Sequence, residues 1–358
     1  MASRVTVGDI ANRAGVSTAT VSRVLNVPER VKGSTRDGVY AAMRELNYVP
    51  PAARRDPETL TQIIGIFATN LLLDSVTEFV RAVESELRDT TFNILLVNMH
   101  GNHNFGEFII DNSHILKKID GAVVFSADVS DRAVEFMHGA DVPMVLVQAR
   151  SSRVHSISNN NFLGGQDAAG HLVDCGYRRI AFVGWEPVDD HVSDRLAGFW
   201  STLVRAGRQF GESLIAYGSL DASGGYEATR ALLARAEPDA IFYASDVLAV
   251  GGLRLLQERN RAVPDEIAVM GFDDLSIAAP LGLTTMRQFF SSKAHMIVEY
   301  LVGRINGAIR EERAEEIQIS PRLVVRQTTC GATPGPFDSA KTAVPSVRQE
   351  VNSKEDFS

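Results

Sequence analysis

The sequence has few cysteines and no long apolar run. Two of its 358 residues are cysteines, Cys175 and Cys330, and they stand far apart without C-x-x-C spacing. This pattern predicts neither a metal site nor a disulfide framework. No stretch reaches the length of about eighteen apolar residues that a membrane helix needs, and the N-terminus has no signal-peptide core. We therefore expect a cytoplasmic protein without a membrane partner.

Motifs of the common enzyme classes are also missing. The chain contains no HExxH, no GxSxG and no Gly-rich phosphate loop. His100 and His103 have ligand-like spacing with Glu107 nearby, but loop histidines of this kind are commonly only solvated. We expect no enzymatic activity, no cofactor and no bound metal.

Charge is divided unevenly along the chain. Residues 1–55 hold nine Lys/Arg against four Asp/Glu, whereas the remaining 303 residues hold 27 against 40. The length allows two or three domains with substantial cores. A basic head on an acidic body is typical of a protein whose head contacts phosphate.

The head contains two short helical patterns joined by a tight turn. Thr6 with Asp9, and Ser17 with Thr20, have the spacing of helix N-caps. Gly15 between them can adopt the left-handed conformation that ends a helix. Apolar or small residues fall at inward spacing in both patterns: Ile10, Ala11, Ala14, Val16, Val21, Val24 and Leu25. Such a pattern predicts a helix-turn-helix, although a purely structural helical hairpin is the alternative.

The outward face of the second helix carries Ser17, Thr18, Ala19, Ser22 and Arg23. Hydroxyls, a methyl group and a guanidinium are groups that read base edges and phosphates in a major groove. A third helix is expected from a cap at Ser34 to about Leu46.

The head resembles that of the lactose/galactose-repressor (LacI/GalR) family of bacterial transcription regulators. The matching residues are T-V-G-D-I-A-x-x-A-G-V-S-x-x-T-V-S-R-V-L-N from Thr6 and R-E-L-N-Y-V-P from Arg44. The resemblance implies a DNA-binding headpiece over residues 1–50, a hinge over 51–61, an effector-binding and dimerisation body over 62–330, and a tail over 331–358. That tail is polar and is expected to be disordered. The implied DNA-binding residues are Thr6, Ser17, Thr18, Ala19, Thr20, Ser22, Arg23, Asn26, Arg30, Ser34, Arg54 and Arg55.

The hinge departs from the family. Relatives usually place leucines there that wedge into the minor groove, but this chain has Asp56 and Pro57. Proline disfavours helix at the residue before it, and a carboxylate repels phosphate. We expect Arg54 and Arg55 to enter or flank the minor groove and to bend the operator less than a leucine wedge would. A bend as large as the family's in circular-permutation gel assays would contradict this.

From Gln62 onwards, strands alternate with helices. Apolar runs such as 63–67, 121–125 and 240–243 predict buried strands, and the segments between them have helical spacing. This order predicts an α/β body of two lobes, each with a doubly wound parallel sheet, and a cleft between them. The resemblance, which extends to Cys330, gives such a body the periplasmic-binding-protein-like fold.

Polar residues follow the ends of the predicted strands, where open parallel sheets bind ligands. Hydroxyls, amides and carboxylates together suit a sugar-like or nucleoside-like ligand. The resemblance also implies that the arginine of Arg195-Leu196-Ala197-Gly198-Phe199 and the first aspartate of Gly271-Phe272-Asp273-Asp274 bind the effector. The candidate effector residues are Asn70, Ser126, Gln148, Asn160, Arg195, Ser245, Asp273 and Gln288. Asp246 is interpreted mainly as a helix N-cap.

The pocket also departs from the family. Asn159, Asn160 and Asn161 stand where many relatives have an Asp-Asn pair, and the loop after Asn70 is apolar. Phe162, Trp185 and Tyr217 are the aromatic residues available for stacking on a ligand. An effector with an apolar portion, or an altered or lost response, is therefore an open alternative.

We expect a homodimeric repressor that binds a pseudo-palindromic operator in double-stranded DNA and responds to a small effector. The expected effector is a carbohydrate. No leucine heptad follows Cys330, so no tetramerising coiled coil is predicted. A solute-binding protein for sugars shares the expected body, but it would lack the basic head and carry a signal peptide.

Overall fold

The structure is a computed structural model that describes residues 5–46, 48, 60–186, 189–310 and 313–329. The described part of the head consists of three α-helices and a 3₁₀ turn at Pro28–Arg30. The helices are α1 (Val7–Ala14), α2 (Thr18–Asn26) and α3 (Gly33–Glu45).

The caps predicted for α1 and α2 are confirmed. Thr6 and Asp9 form a reciprocal capping box, and Gly15 ends α1 with φ 67°. Ser17 accepts a hydrogen bond from the backbone N–H of Thr20 at the start of α2. Ile10, Ala11, Val21 and Val24 are buried, as their spacing predicted.

The predicted cap of α3 is wrong. Helix α3 begins at Gly33 after Lys32, whose side chain makes no capping hydrogen bond. Ser34 therefore lies inside the first turn, where its backbone is already helical and its hydroxyl cannot act as the N-cap.

The body has two lobes, each built on a parallel sheet. The described strands of the body are β1 (Ile63–Ala68), β2 (Asn93–Asn98), β3 (Gly121–Phe125), β4 (Met144–Val147), β5 (Ser156–Asn159), β6 (Ile180–Trp185), β7 (Ile215–Gly218), β8 (Ala240–Tyr243), β9 (Ala268–Met270), β10 (Thr285–Arg287), β11 (Glu316–Ile319) and β12 (Arg322–Val324). The first sheet has the order β11-β5-β4-β3-β1-β2, the second has the order β7-β6-β8-β9, and the short β10 and β12 pair antiparallel.

Helices cover both sheets, which confirms the predicted α/β class. They are α4 (Asp74–Leu87), α5 (Phe105–Asp111), α6 (Asp131–Gly139), α7 (Asn161–Asp174), α8 (Asp190–Arg205), α9 (Ala222–Leu233), α10 (Asp246–Glu258) and α11 (Phe290–Ile305). The chain enters the second lobe after β5 and returns to the first through α11 and β11. The two lobes are therefore joined by several crossings.

The expectation that the cysteines form no disulfide is corrected, because Cys175 is disulfide-bonded. The wide spacing of the two cysteines along the sequence gave no sign of a disulfide, because spacing alone does not show that the chain after β12 returns to α7. There the Thr329 hydroxyl lies 2.8 Å from His171 Nε2. Among the described helices, none is both long and apolar enough to cross a membrane.

Candidate functional site

The outward face of α2 is exposed. Ser17, Thr18, Ala19, Ser22 and Arg23 are exposed, whereas Thr20 is half-buried and its hydroxyl lies 3.0 Å from that of Ser17. Val21 and Val24 anchor the opposite face in the core. The fold therefore presents short polar side chains and one arginine on a helix that is held from behind.

The other DNA-binding candidates surround this face or lie outside the described residues. Thr6, Arg30 and Ser34 are exposed. Asn26 is the last residue of α2. The hinge predictions for Arg54 and Arg55 fall outside the described residues.

A cavity of about 920 Å³ opens between the two lobes. It lies at the carboxyl ends of the parallel strands, where ligands of such sheets bind. Seven of the eight candidate effector residues line it: Asn70, Ser126, Gln148, Arg195, Ser245, Asp273 and Gln288.

Asn160 is the exception. Its side chain accepts a hydrogen bond from the backbone N–H of Leu163 and caps α7. Its neighbours Asn159 and Asn161 line the cavity instead. Of the three aromatic candidates, Trp185 is part of the lining.

Arg195 forms the floor of the cavity on the side of the second lobe. It lies in α8 and only 4 % of its surface is exposed. Its Nε donates to Asn161 Oδ1 at 2.9 Å, and Nη1 lies 3.7 Å from Asp273 Oδ1. The guanidinium stacks on the Phe272 ring, with Cζ 3.7 Å from the ring centroid. The Phe272 ring packs on the plane of the guanidinium, and Asn161 and Asp273 contact its edge. These contacts therefore fix its orientation.

Asp273 accepts hydrogen bonds from two other side chains of the cavity lining. The Ser245 hydroxyl donates to its Oδ2 at 2.7 Å, and the Gln288 side-chain amide donates to its Oδ1. Burial raises the pKa of Asp273, while the Arg195 guanidinium lowers it. The pKa of Asp273 lies above its usual value, because burial outweighs the cation and the two hydrogen-bond donors around the carboxylate.

Gln288 connects the two lobes. Its Oε1 accepts from Gln148 Nε2 at 2.9 Å and from the amide of Asn159. Lys293 Nζ lies 3.4 Å from the same oxygen and is completely buried. The hydrogen-bond network therefore runs from Arg195 in the second lobe to Gln148 and Asn159 in the first.

Several lining residues have a strained backbone. Ser126, Gln148 and Asp273 have φ values of 49°, 54° and 120°, which non-glycine residues rarely adopt. Each follows a strand end in the cavity, and strained residues of this kind cluster at ligand sites.

The interpretation of Asp246 as a helix cap is wrong. Ser245 is the N-cap of α10, and Asp246 is the first residue of the helix and fully buried. Its oxygens accept from the Thr285 hydroxyl at 2.6 Å and from the backbone N–H of Leu275 at 2.8 Å. Burial, reinforced by the nearby charge of Asp273, raises the pKa of Asp246 well above its usual value.

Sequence reasoning missed Ser158, His191 and Lys293 as members of this region, and within the asparagine triplet it selected Asn160 rather than Asn159 and Asn161 as the effector residue. The strand β5, which carries Ser158 and Asn159, is polar and gave no periodic signal. Lys293 lies in an amphipathic helix where a lysine is normally solvent-exposed. A lysine at an inward position of that helix was the available signal.

Comparison with known proteins connects both regions to one family. Residues 6–51 match the model of bacterial regulatory proteins, lacI family, and residues 169–329 match the periplasmic binding protein-like domain. An HTH-type transcriptional repressor PurR from Proteus mirabilis is 32 % identical over 340 residues, covering 93 % of this chain and 98 % of that protein.

Solved structures agree. A complex of the transcriptional regulator CelR with cellobiose has a TM-score of 0.67 and 28 % identity, covering 91 % of this chain and 100 % of that one. The lac repressor dimer bound to operator and the anti-inducer ONPF has a TM-score of 0.64 and 26 % identity, covering 91 % and 99 %.

The fold and its two sites define a helix-turn-helix regulator with a periplasmic-binding-protein-like body. The chain belongs to the lacI family of bacterial regulatory proteins.

Proposed function

We propose that this protein is a homodimeric repressor that reads a pseudo-palindromic operator with α2 and is controlled by a small hydroxylated effector bound between its lobes. The observation that carries the proposal is the buried network of Arg195, Asp273 and Gln288 at the floor of a cavity that both lobes line. A ligand held there contacts both lobes and so favours one of their relative positions.

The DNA-binding part is supported by the exposed face of α2 and by the start of α3. The first turn of α3 has no side-chain cap, and Lys32 and Ser34 beside it are exposed. Free backbone N–H groups at a helix start favour a phosphate. Contacts at this point would fix the register of α2 in the groove.

Arg23→Ala should weaken specific operator binding by about 1–3 kcal/mol and relax the base preference, since a guanidinium in the major groove discriminates bases. Gel shifts against a series of operator variants measure both effects. Arg178→Ala, in the body, is the matched control and should bind like the unmodified protein. Unchanged base selectivity in Arg23→Ala would contradict the assignment.

Arg195→Ala and Asp273→Ala should abolish the thermal stabilisation that the effector causes while operator binding remains. Both side chains line the cavity and hold each other in place. The control is Arg205→Ala, at the exposed end of the same helix. If both cavity variants are still stabilised by the effector, it binds elsewhere.

Experiments can distinguish two alternatives from this proposal. A solute-binding protein would bind sugars without any salt-sensitive preference for DNA. A regulator that has lost its effector response would bind its operator with an affinity that no cavity ligand changes.

A further inference from the structure

The cavity has an unusual arrangement of charge at its helix starts. Helices α4 and α8 open on it with their N-termini, and the first residue of each is an aspartate that lines the cavity: Asp74 in α4 and Asp190 in α8. A helix N-terminus ordinarily attracts an anionic ligand. Here the chain's own carboxylates already occupy these positions, so a phosphate would meet like charge. Helix α7 is different, because Asn160 caps it and Asn161 is held by Arg195.

The cations of the lining are already paired. Among the described lining residues the arginines are Arg150 and Arg195, and there is no lysine. Arg150 lies 3.3 Å from Glu316 and 3.8 Å from Asp194, and Arg195 is engaged by Asp273. Burial lowers the pKa of His191, which favours its neutral form. The lining, as far as its residues are described, therefore offers no unpaired Lys or Arg to an anionic ligand.

Carboxylates at the mouth are in excess. Asp74 and Asp128 belong to the first lobe, and Glu186 and Asp190 to the second; all four are exposed and line the cavity. None of them forms an ion pair with a described residue. Like charges on both lobes disfavour closure unless a positive group lies between them.

The floor has buried acceptors that lack a partner. Asn159 is 1 % exposed and lines the cavity, yet its Oδ1 receives no hydrogen bond from any described residue. The hydroxyl of Ser158, also buried in the lining, has no partner within the part of the chain that the structure describes. Buried acceptors are normally satisfied, so a ligand that brings N–H or O–H donors to this floor is favoured.

We propose that the effector is a hydroxylated compound that carries a protonated amine and no phosphate or carboxylate group, of which an amino sugar is the simplest kind. This inference rests on the proposed function, since it names the class of ligand for the same cavity. Its hydroxyls bind Asp273 and the floor amides, and its ammonium group lies between the carboxylates of the two lobes.

The test uses matched trios of one sugar scaffold with three charges. The probes are D-glucose, D-glucosamine and D-glucose 6-phosphate, with the corresponding trios of D-galactose and D-mannose. Isothermal titration calorimetry with the full-length protein at low salt should give at least tenfold tighter binding for the amine in one trio and no binding for the phosphates. Higher salt should weaken the preference.

Two variants tie the preference to the named carboxylates. Asp74→Asn and Asp190→Asn should each reduce the preference for the amine over the neutral sugar several-fold. The matched control is Asp174→Asn, at the exposed far end of α7, and it should leave the preference unchanged.

Three results overturn the inference: tightest binding of a phosphate or a neutral sugar, an amine preference that survives both variants, or no binding of any trio. A parallel gel shift against genomic fragments separates these results from failure of the proposed function. Operator binding that persists in that assay leaves the regulator assignment intact, whereas its absence counts against that assignment.

Discussion

The entire side chain of Lys293 is buried, next to the floor of the cavity. It has one hydrogen bond, of 3.4 Å, to Gln288, and its ammonium lies over the Phe290 ring at 5.2 Å from the centroid. Burial, aided by the Arg195 charge and opposed by Asp273, lowers the pKa of Lys293 to about 7. At the scale of single residues, the region behind the cavity lining therefore holds an amine whose protonated form is costly to bury.

This lowered pKa predicts a pH dependence with a definite sign. Between pH 7 and 10.5, the unfolded chain keeps the proton that the folded protein releases, so the free energy of unfolding rises with pH in this window. Lys293→Met should stabilise the protein most at pH 7 and below, and the gain should shrink by up to about 1.4 kcal/mol per pH unit above it. Urea denaturation at pH 7, 8 and 9 measures the difference. Lys118→Met, on an exposed side chain, is the control; a gain that does not vary with pH would contradict the assignment.

At the scale of elements, the cavity depends on how closely α7 and α8 cross. Gly165 of α7 faces the Arg195 carbonyl, and Gly198 of α8 faces the Phe162 carbonyl, in both cases too closely for a Cβ atom. This contact holds α8, and with it Arg195, against the helix that starts at the cavity. The two glycines thus position the Arg195 side chain by allowing the backbones of α7 and α8 to approach closely.

Gly198→Ala should separate the two helices and destabilise the protein by about 1–3 kcal/mol, the usual cost of overpacking. It should also weaken effector binding, because Arg195 moves with α8. Gly170→Ala, on α7 with open space around the added methyl, is the matched control and should be neutral or slightly stabilising. Equal denaturation midpoints for the two variants would show that the crossing is not tightly constrained.

At the scale of the whole molecule, the head packs on the first lobe. One cluster of buried apolar side chains includes residues of the head and of that lobe. Arg44 of α3 pairs with Asp111 of α5, and Arg132 donates to the carbonyls of Met43 and Arg44 at the end of α3. A cation at a helix C-terminus is favourably placed. The head thus packs on a lobe that also lines the cavity.

Arg44→Asp should release the head and speed its tryptic separation from the body several-fold, because it replaces an ion pair by a like-charge contact. The charge-swapped double variant Arg44→Asp with Asp111→Arg should restore slow cleavage. Arg88→Asp, on an exposed face of the body, controls for the change in charge. If cleavage of Arg44→Asp proceeds at the unmodified rate, the contact does not hold the head.

Much of this architecture was predictable from local patterns. The caps at Thr6 and Ser17, the turn at Gly15 and the strands at 121–125 and 240–243 follow from residue types at fixed spacing. Polar residues after strand ends also predicted most of the cavity lining, since parallel sheets bring those ends together.

The sequence by itself determined the helix-turn-helix, the alternation of strands and helices and the location of the cavity, because capping, periodicity and strand ends are local properties. Only the tertiary structure decided that Ser245 rather than Asp246 caps α10, that Lys293 is buried and that the polar strand β5 lies inside a sheet. These features depend on which distant segments pack together. Burial and hydrogen-bond partners come from residues far away in the chain, and no local pattern records them.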